Sequence, residues 1–211
     1  MNMPSIWKRE LTQWMDLLKQ PLLAENEATT ADSKTITILK NGVPVCCYPA
    51  SLLNGKLTMT LPQSIQPVAP EPYQLNTLPG VELEDVDKQV KITLTHLDQR
   101  ARNNGDVLDY KNQVKQALKM MNPATEWLLG GVKEVRGLQI AFFEVITTML
   151  GMGLYNLYFF LPLQQRVVSG KFICANGVLK EWRPVFYQIM GSIETKGFEK
   201  RTFRNLVQTL F

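Results

Sequence analysis

The chain has 211 residues, 45% hydrophobic and 20% charged, enough to bury a sizeable core without disulfide or metal staples. A formal net charge of +4 is too small to indicate a nucleic-acid binder without a concentrated basic patch. Cys46, Cys47 and Cys174 make a poor disulfide framework, since a bridge between neighbours is strained, and a reduced set points to a reducing compartment.

Residues 1–20 carry Lys8-Arg9-Glu10 where a signal peptide would need a continuous apolar core, so no leader is expected. Pro4-Ser5 reads as a helix start. Trp7, Leu11, Trp14 and Leu18 then recur at spacings of four, three and four, which places one apolar stripe on a helix over residues 5–20. Pro21 ends it, and residues 25–34 are small, polar and aperiodic, a linker. Residues 35–39 and 43–48 read as strands around Asn41-Gly42, the strongest short hairpin signal. After Asn54-Gly55, Leu57, Met59 and Leu61 alternate with Thr58 and Thr60, a half-buried strand. Pro62, Pro67, Pro70, Pro72 and Pro79 predict an extended loop.

Val90, Ile92 and Leu94 alternate with polar residues, and His96 falls in their apolar phase. Asn103-Asn104-Gly105 breaks the chain, and Asp106 is placed to cap a helix whose face is Val107, Tyr110, Val114, Leu118 and Met121. Asn122-Pro123 stops it. Residues 132–135, 138–147, 154–161 and 166–174 are rich in β-branched and aromatic residues, and their short connections favour antiparallel neighbours. The two central strands are apolar on both faces, so both faces should be covered. Glu144, Asn156 and Pro162 interrupt the apolar run 138–163, which therefore suits strands rather than a spanning helix. Leu179, Trp182, Phe186, Ile189 and Ile193 predict a second helix over 179–194, with Pro184 early in it. The tail 196–211 is basic through Lys196, Lys200, Arg201 and Arg204, and amphipathic if helical. The expected division is a helix and linker (1–34), an α+β domain with an antiparallel sheet (35–195), and the basic tail (196–211).

The order from Gly55 onward resembles the Mog1/PsbP-like α/β/α sandwich, a group that includes the DcrB-like bacterial proteins. The residues that carry it are NGKLTMTLP at 54–62, the Val90–Leu94 strand leading into helix 106–121, and the segment 137–194 with its closing Glu181-Trp182 helix. The resemblance covers about two-thirds of the chain and implies an interaction protein. The group includes a Ran-binding factor, a photosystem subunit, and Eag-type chaperones that shield hydrophobic segments of secreted effectors. It implies no site residue, because its members share a fold more than a site.

The residues themselves offer little catalytic chemistry. His96 is the only imidazole and reads as an edge-of-core histidine. Glu82, Glu84, Asp85 and Asp87 read as a solvated loop, since no EF-hand spacing supports a cation. No Gly-x-Gly-x-x-Gly or Walker motif occurs at Gly130-Gly131 or Gly151-Met152-Gly153. Cys46-Cys47 reads as a pair of buried strand thiols with nothing nearby in sequence to activate them. Tyr155, Tyr158, Phe159 and Phe160 read as core. Glu144 in an apolar strand requires a partner, and structural pairing with a basic residue is the expectation.

The expected function is therefore a non-enzymatic, cytoplasmic protein-binding adaptor or chaperone. It would take a protein partner or a second copy, with no cofactor, metal, nucleic acid or membrane insertion. Trp7, Leu11, Trp14 and Leu18 are the expected partner-binding residues, an ordinary core helix being the other reading of that stripe. A small apolar-ligand carrier or a carboxylate-based enzyme is the competing class.

Overall fold

The computed structural model describes residues 37–68, 80–87, 89–100, 104–149 and 152–196. The stripe Trp7, Leu11, Trp14 and Leu18 and the tail after Lys196 lie outside the described residues. Asn41 and Gly42 both adopt positive φ (53° and 77°), the geometry of a two-residue hairpin turn, between β1 (Ile38–Lys40) and β2 (Val43–Val45). The expected strand 43–48 is corrected. It breaks at Cys46, and β3 (Cys47–Leu52) pairs instead with β4 (Leu57–Pro62). Pro44 and Pro49 lack a donor, and each lies on a strand with an open edge. The break also corrects the reading of the thiols: Cys46 is exposed and Cys47 half-buried, while Cys174 alone is buried.

The proline-rich stretch begins with a short strand, β5 (Ile65–Pro67), before residues 69–79, which are not described. The acidic run is likewise corrected from loop to strand in β6 (Gly80–Asp85). Leu83 and Asp85 turn inward, and Glu82 faces outward to pair with Lys91 at 2.9 Å. Strand propensity misses it because charge occupies the outward Glu82 and Glu84 and the inward Asp85 alike.

β6 is followed by β7 (Val90–Arg100), helix α1 (Asn104–Met121), then β8 (Glu126–Val135), β9 (Leu138–Met149), β10 (Met152–Leu163) and β11 (Arg166–Ala175). Asp106 lies in the first turn of α1 rather than ahead of it. A short 3₁₀ turn leads into α2 (Leu179–Gly191), which ends before the expected 194 because the chain turns at Ser192 into β12 (Glu194–Thr195), a partner of β4. The large sheet runs β5-β6-β7-β11-β10-β9-β8, and every pairing in it is antiparallel. A three-stranded sheet, β12-β4-β3, and the β1–β2 hairpin make up the remainder.

Two cores follow from the alternation of side chains across β9 and β10. Ala141, Phe143, Val145 and Phe160 face α1 and pack with Val107, Tyr110, Val114 and Leu118. Ile140, Phe142, Tyr155, Leu157 and Phe159 face the other way. They share a larger core with Trp182, Phe186 and Ile189 of α2 and with Leu57, Met59 and Leu61 of β4. Both faces of the central strands are thus covered, as their doubly apolar sequence requires. Gln188 ties α2 to β1 by accepting from the Leu39 N–H at 2.8 Å and donating to its carbonyl at 3.0 Å. Ser192 Oγ accepts from the Thr60 N–H at 2.8 Å.

Phe159, Phe172 and Phe186 stack in sequence through the larger core with centroids 4.9 Å apart at each step. The stack requires a glycine opposite Phe159 in β11: a Cβ at Gly170 would sit 2.0 Å from that ring. Gly170→Ala is expected to cost ~1–3 kcal/mol or more, because the ring must leave a packed stack. A urea midpoint equal to that of the wild type would show that Phe159 moves aside freely.

Candidate protein-binding face

Glu144 is completely buried on β9, on the α2 side of the sheet. It is not an isolated carboxylate. Arg183 Nη2 lies 2.8 Å from Glu144 Oε2, and the Tyr187 hydroxyl donates to Oε1. Burial, then the charge of Glu144, pushes the Tyr187 and Tyr155 hydroxyls well above the ordinary tyrosine range. The expected structural pairing holds, and it anchors α2 to the sheet. The carboxylate best suited to an enzyme is thereby committed to the core.

Other residues singled out in the sequence are also structural. Tyr155, Phe159 and Phe160 are buried, and Tyr158 is half-buried against Phe143. Burial holds the Cys47 thiol above its usual range and pushes that of Cys174 up to about 12, so neither is an activated nucleophile. Among the described residues no three His, Cys, Asp or Glu side chains gather as a metal site would require. No helix among them is long and apolar enough to cross a membrane.

The surface with the most chemistry is built by α1 and β8. Lys111, Lys115 and Lys119 recur every four residues and so form one stripe on α1. Nζ of Lys115 and of Lys119 lie 5.2 and 5.4 Å from the ring centroid of Trp127 on β8, within cation–π range. Lys111, Lys115, Trp127, Leu128, Leu129 and Phe143 border a hollow of about 130 Å³. Partial burial, then repulsion from Lys115, lowers the Lys111 pKa. Beside this stripe the helix ends in two bare methionines, Met120 at 84% and Met121 at 81% exposure. Met121 is corrected here from the core face it was assigned, since contact with the sheet ends at Leu118.

β8 is also the last strand of the large sheet, with no strand pairing beyond it among the described residues. Its ladder shifts register between Trp127 and Gly130. A Cβ at Gly130 would lie 3.1 Å from Phe143 Cβ, so glycine permits the close approach of β9 there. Glu134 and half-exposed Val132 face outward, Lys133 turns the other way with its Nζ 5.8 Å from the Tyr187 ring, and the edge is one that a second strand could extend. Periodicity alone could have found the lysine stripe. The position of Trp127 across from it depends on the fold.

No protein-family model matches the sequence, and no curated protein matches it. Solved structures do match. The PsbP protein of the cyanobacterium Synechocystis sp. PCC 6803 superposes with a TM-score of 0.55 at 9% identity, over 80% of this chain and 98% of that one. The Ran-binding protein Mog1p of Saccharomyces cerevisiae gives a TM-score of 0.47 at 7% identity, over 72% and 96%. The immunity protein TplEi of the Pseudomonas aeruginosa T6SS gives 0.43 at 13% identity, over 89% and 84%. At these identities the likeness is one of fold.

Proposed function

The chain has a Mog1/PsbP-like fold, and we propose that it is a non-catalytic protein-binding module, an adaptor or chaperone-like protein. The observation that carries this reading is the α1–β8 face, where Met120 and Met121 stand bare beside a lysine stripe clasping Trp127. Flexible methionines accept varied apolar shapes, and aromatic rings and cations are the common anchors of interfaces. The partner that complements this face is an apolar segment flanked by acidic residues. Shielding such a segment of a secreted protein is the specific role we assign to it. Trp7, Leu11, Trp14 and Leu18 are proposed as a second partner contact, on the strength of their spacing. The three free thiols support action in the cytoplasm.

The test is affinity capture from the native source, followed by mass spectrometry. Three baits are compared: the full chain, the same chain with Lys115→Glu and Lys119→Glu, and a chain lacking residues 1–24. A partner retained by the full chain is expected to be lost from the charge-reversed bait and weakened on the truncated one. Equal capture by all three folded baits would sink the reading. Sedimentation of the same samples separates a second copy of the chain from a different partner.

A further inference from the structure

Among the described residues, the strands other than β8 that border a sheet are short or carry proline. β2 contains Pro44, β3 Pro49 and β5 Pro67, β12 has two residues, and Gln188 occupies the Leu39 peptide of β1. β8 has ten residues and no proline. Its ladder fixes which backbone groups are open. Arg136 and Gly137, both at positive φ, form the two-residue turn into β9, so Val135 and Leu138 are the hydrogen-bonded pair beside it. Alternation then turns the N–H and C=O of Gly130, Val132 and Glu134 away from β9 and toward the open edge. All three residues are exposed, Val132 at 48%.

These residues belong to the α1 side of the sheet, because they pair with Phe143, Ala141 and Gln139, and the first two of those pack under α1. Residues of an added strand that lie opposite them project to the same side. The chemistry there changes along the edge. Gly130 has no side chain, and it borders the hollow of about 130 Å³ that Lys111 and Lys115 also border. Among the described residues neither lysine is in an ion pair with a carboxylate. Val132 is apolar, and Glu134 is acidic.

We infer that β8 takes an extended segment of a partner protein as an added antiparallel strand, with an acidic side chain opposite Gly130, an apolar one opposite Val132 and a basic one opposite Glu134. The inference rests on the protein-binding reading of the α1–β8 face and gives it a mode and a register. Main-chain bonds supply affinity, and alternate side chains supply specificity. Antiparallel pairing meets Glu134 first, so the partner's pattern in its own direction is basic-x-apolar-x-acidic. Its carboxylate approaches Lys111 and Lys115 through the space that glycine leaves. A second copy of the chain fits this edge worse. An antiparallel joint of β8 with itself would set both α1 helices on one face, with their lysine stripes turned toward each other.

The probe is the capped peptide Thr-Lys-Thr-Val-Thr-Glu-Thr, titrated into the isotope-labelled full-length chain and followed by amide NMR. Saturable shifts of the Gly130, Val132 and Glu134 amides, with slowed exchange of their protons, are expected. N-methylation of the peptide's valine removes the donor that faces β8 and is expected to weaken binding roughly tenfold. N-methylation of the threonine after it, whose N–H points away, is expected to change binding little. Replacing the peptide's glutamate by lysine, and Lys115→Glu in the chain, are each expected to weaken binding roughly tenfold, and the two together to recover part of the loss. Equal binding of the two methylated peptides, or no saturable shift of these amides with millimolar peptide, would overturn the proposal. A wild-type dimer that Val132→Pro splits in sedimentation would also overturn it, because a second copy would then hold the edge. Val132→Pro removes one outward donor and no bond to β9, and it serves as a fourth bait in the capture experiment. A partner lost on charge reversal but held equally by folded Val132→Pro would sink strand addition and leave the protein-binding reading standing. Equal capture by every bait sinks that reading, while the methylated peptides still decide the edge.

Discussion

Trp182→Ala is expected to lower the unfolding free energy by ~3–5 kcal/mol, read as a fall in the urea midpoint at an unchanged slope. The indole is 1% exposed and packs in the middle of the larger core. It stands 6.0 Å from Phe186, whose ring continues the stack through Phe172 to Phe159. Its other side receives Lys40 of the β1–β2 hairpin, with Nζ 4.2 Å from the ring. Truncation therefore leaves a cavity on the inner side and removes a cation–π contact worth ~0.5–1 kcal/mol on the outer. The indole N–H has no acceptor among the described residues, so the loss is one of packing and not of a hydrogen bond. Trp182→Phe, which keeps a ring in the stack, is expected to lose clearly less. A wild-type midpoint for Trp182→Ala would mean that the helix does not close the core through this residue.

Glu144→Ala is expected to cost a similar ~3–5 kcal/mol for a different reason. The substitution leaves a smaller void than Trp182→Ala, but it withdraws the carboxylate that faces Arg183 and the Tyr187 hydroxyl inside the core. Desolvating a charged guanidinium without that counter-charge is the dominant cost. Glu144→Gln, which keeps an acceptor, should fall between the two. The pH dependence distinguishes this from a packing defect. Tyr187 and Tyr155 have folded pKa values raised above the ordinary 10, so their contribution is whole below pH 10 and is lost as pH rises through the folded values. Part of that elevation comes from the charge of Glu144, so the stability gap between wild type and Glu144→Ala is expected to narrow above pH 10. A constant gap across that range, followed by chemical denaturation, would remove the electrostatic account.

The hairpin turns with Asn41-Gly42 and Arg136-Gly137 were legible in the sequence, because glycine marks the left-handed position each requires. Gln164-Gln165 makes an equally tight turn without that mark. Alternation revealed β4 and the first half of β7, through Val90, Ile92 and Leu94, since these faces meet the larger core, whereas β7 runs on to Arg100 and its Leu97 packs on the other core. The first half of β8 was hidden: Trp127 to Gly131 passes through a register shift that destroys any period of two. β6 was hidden by its own charges. The need of Glu144 for a basic partner could be read from its apolar surroundings, but Arg183 could not be named, because their meeting depends on α2 crossing β9.

The place of β7 in the large sheet bears on the order in which the domain assembles. β8 to β11 form a meander, each strand paired with the next in sequence. Its contacts close over short stretches of chain, which costs little loop entropy. β7 joins this meander at β11, pairing Val90 with Cys174, so α1 and three strands lie within the loop it closes. Non-local pairings of this kind slow folding, and the entropy of closure falls after the meander has a face to offer. Until that joint forms, β11 is the bare edge, and Val168, Phe172 and Cys174 lack the cover of Ile92 and Leu94. The final structure places those apolar residues in the middle of its sheet, whereas the growing one presents them at its margin.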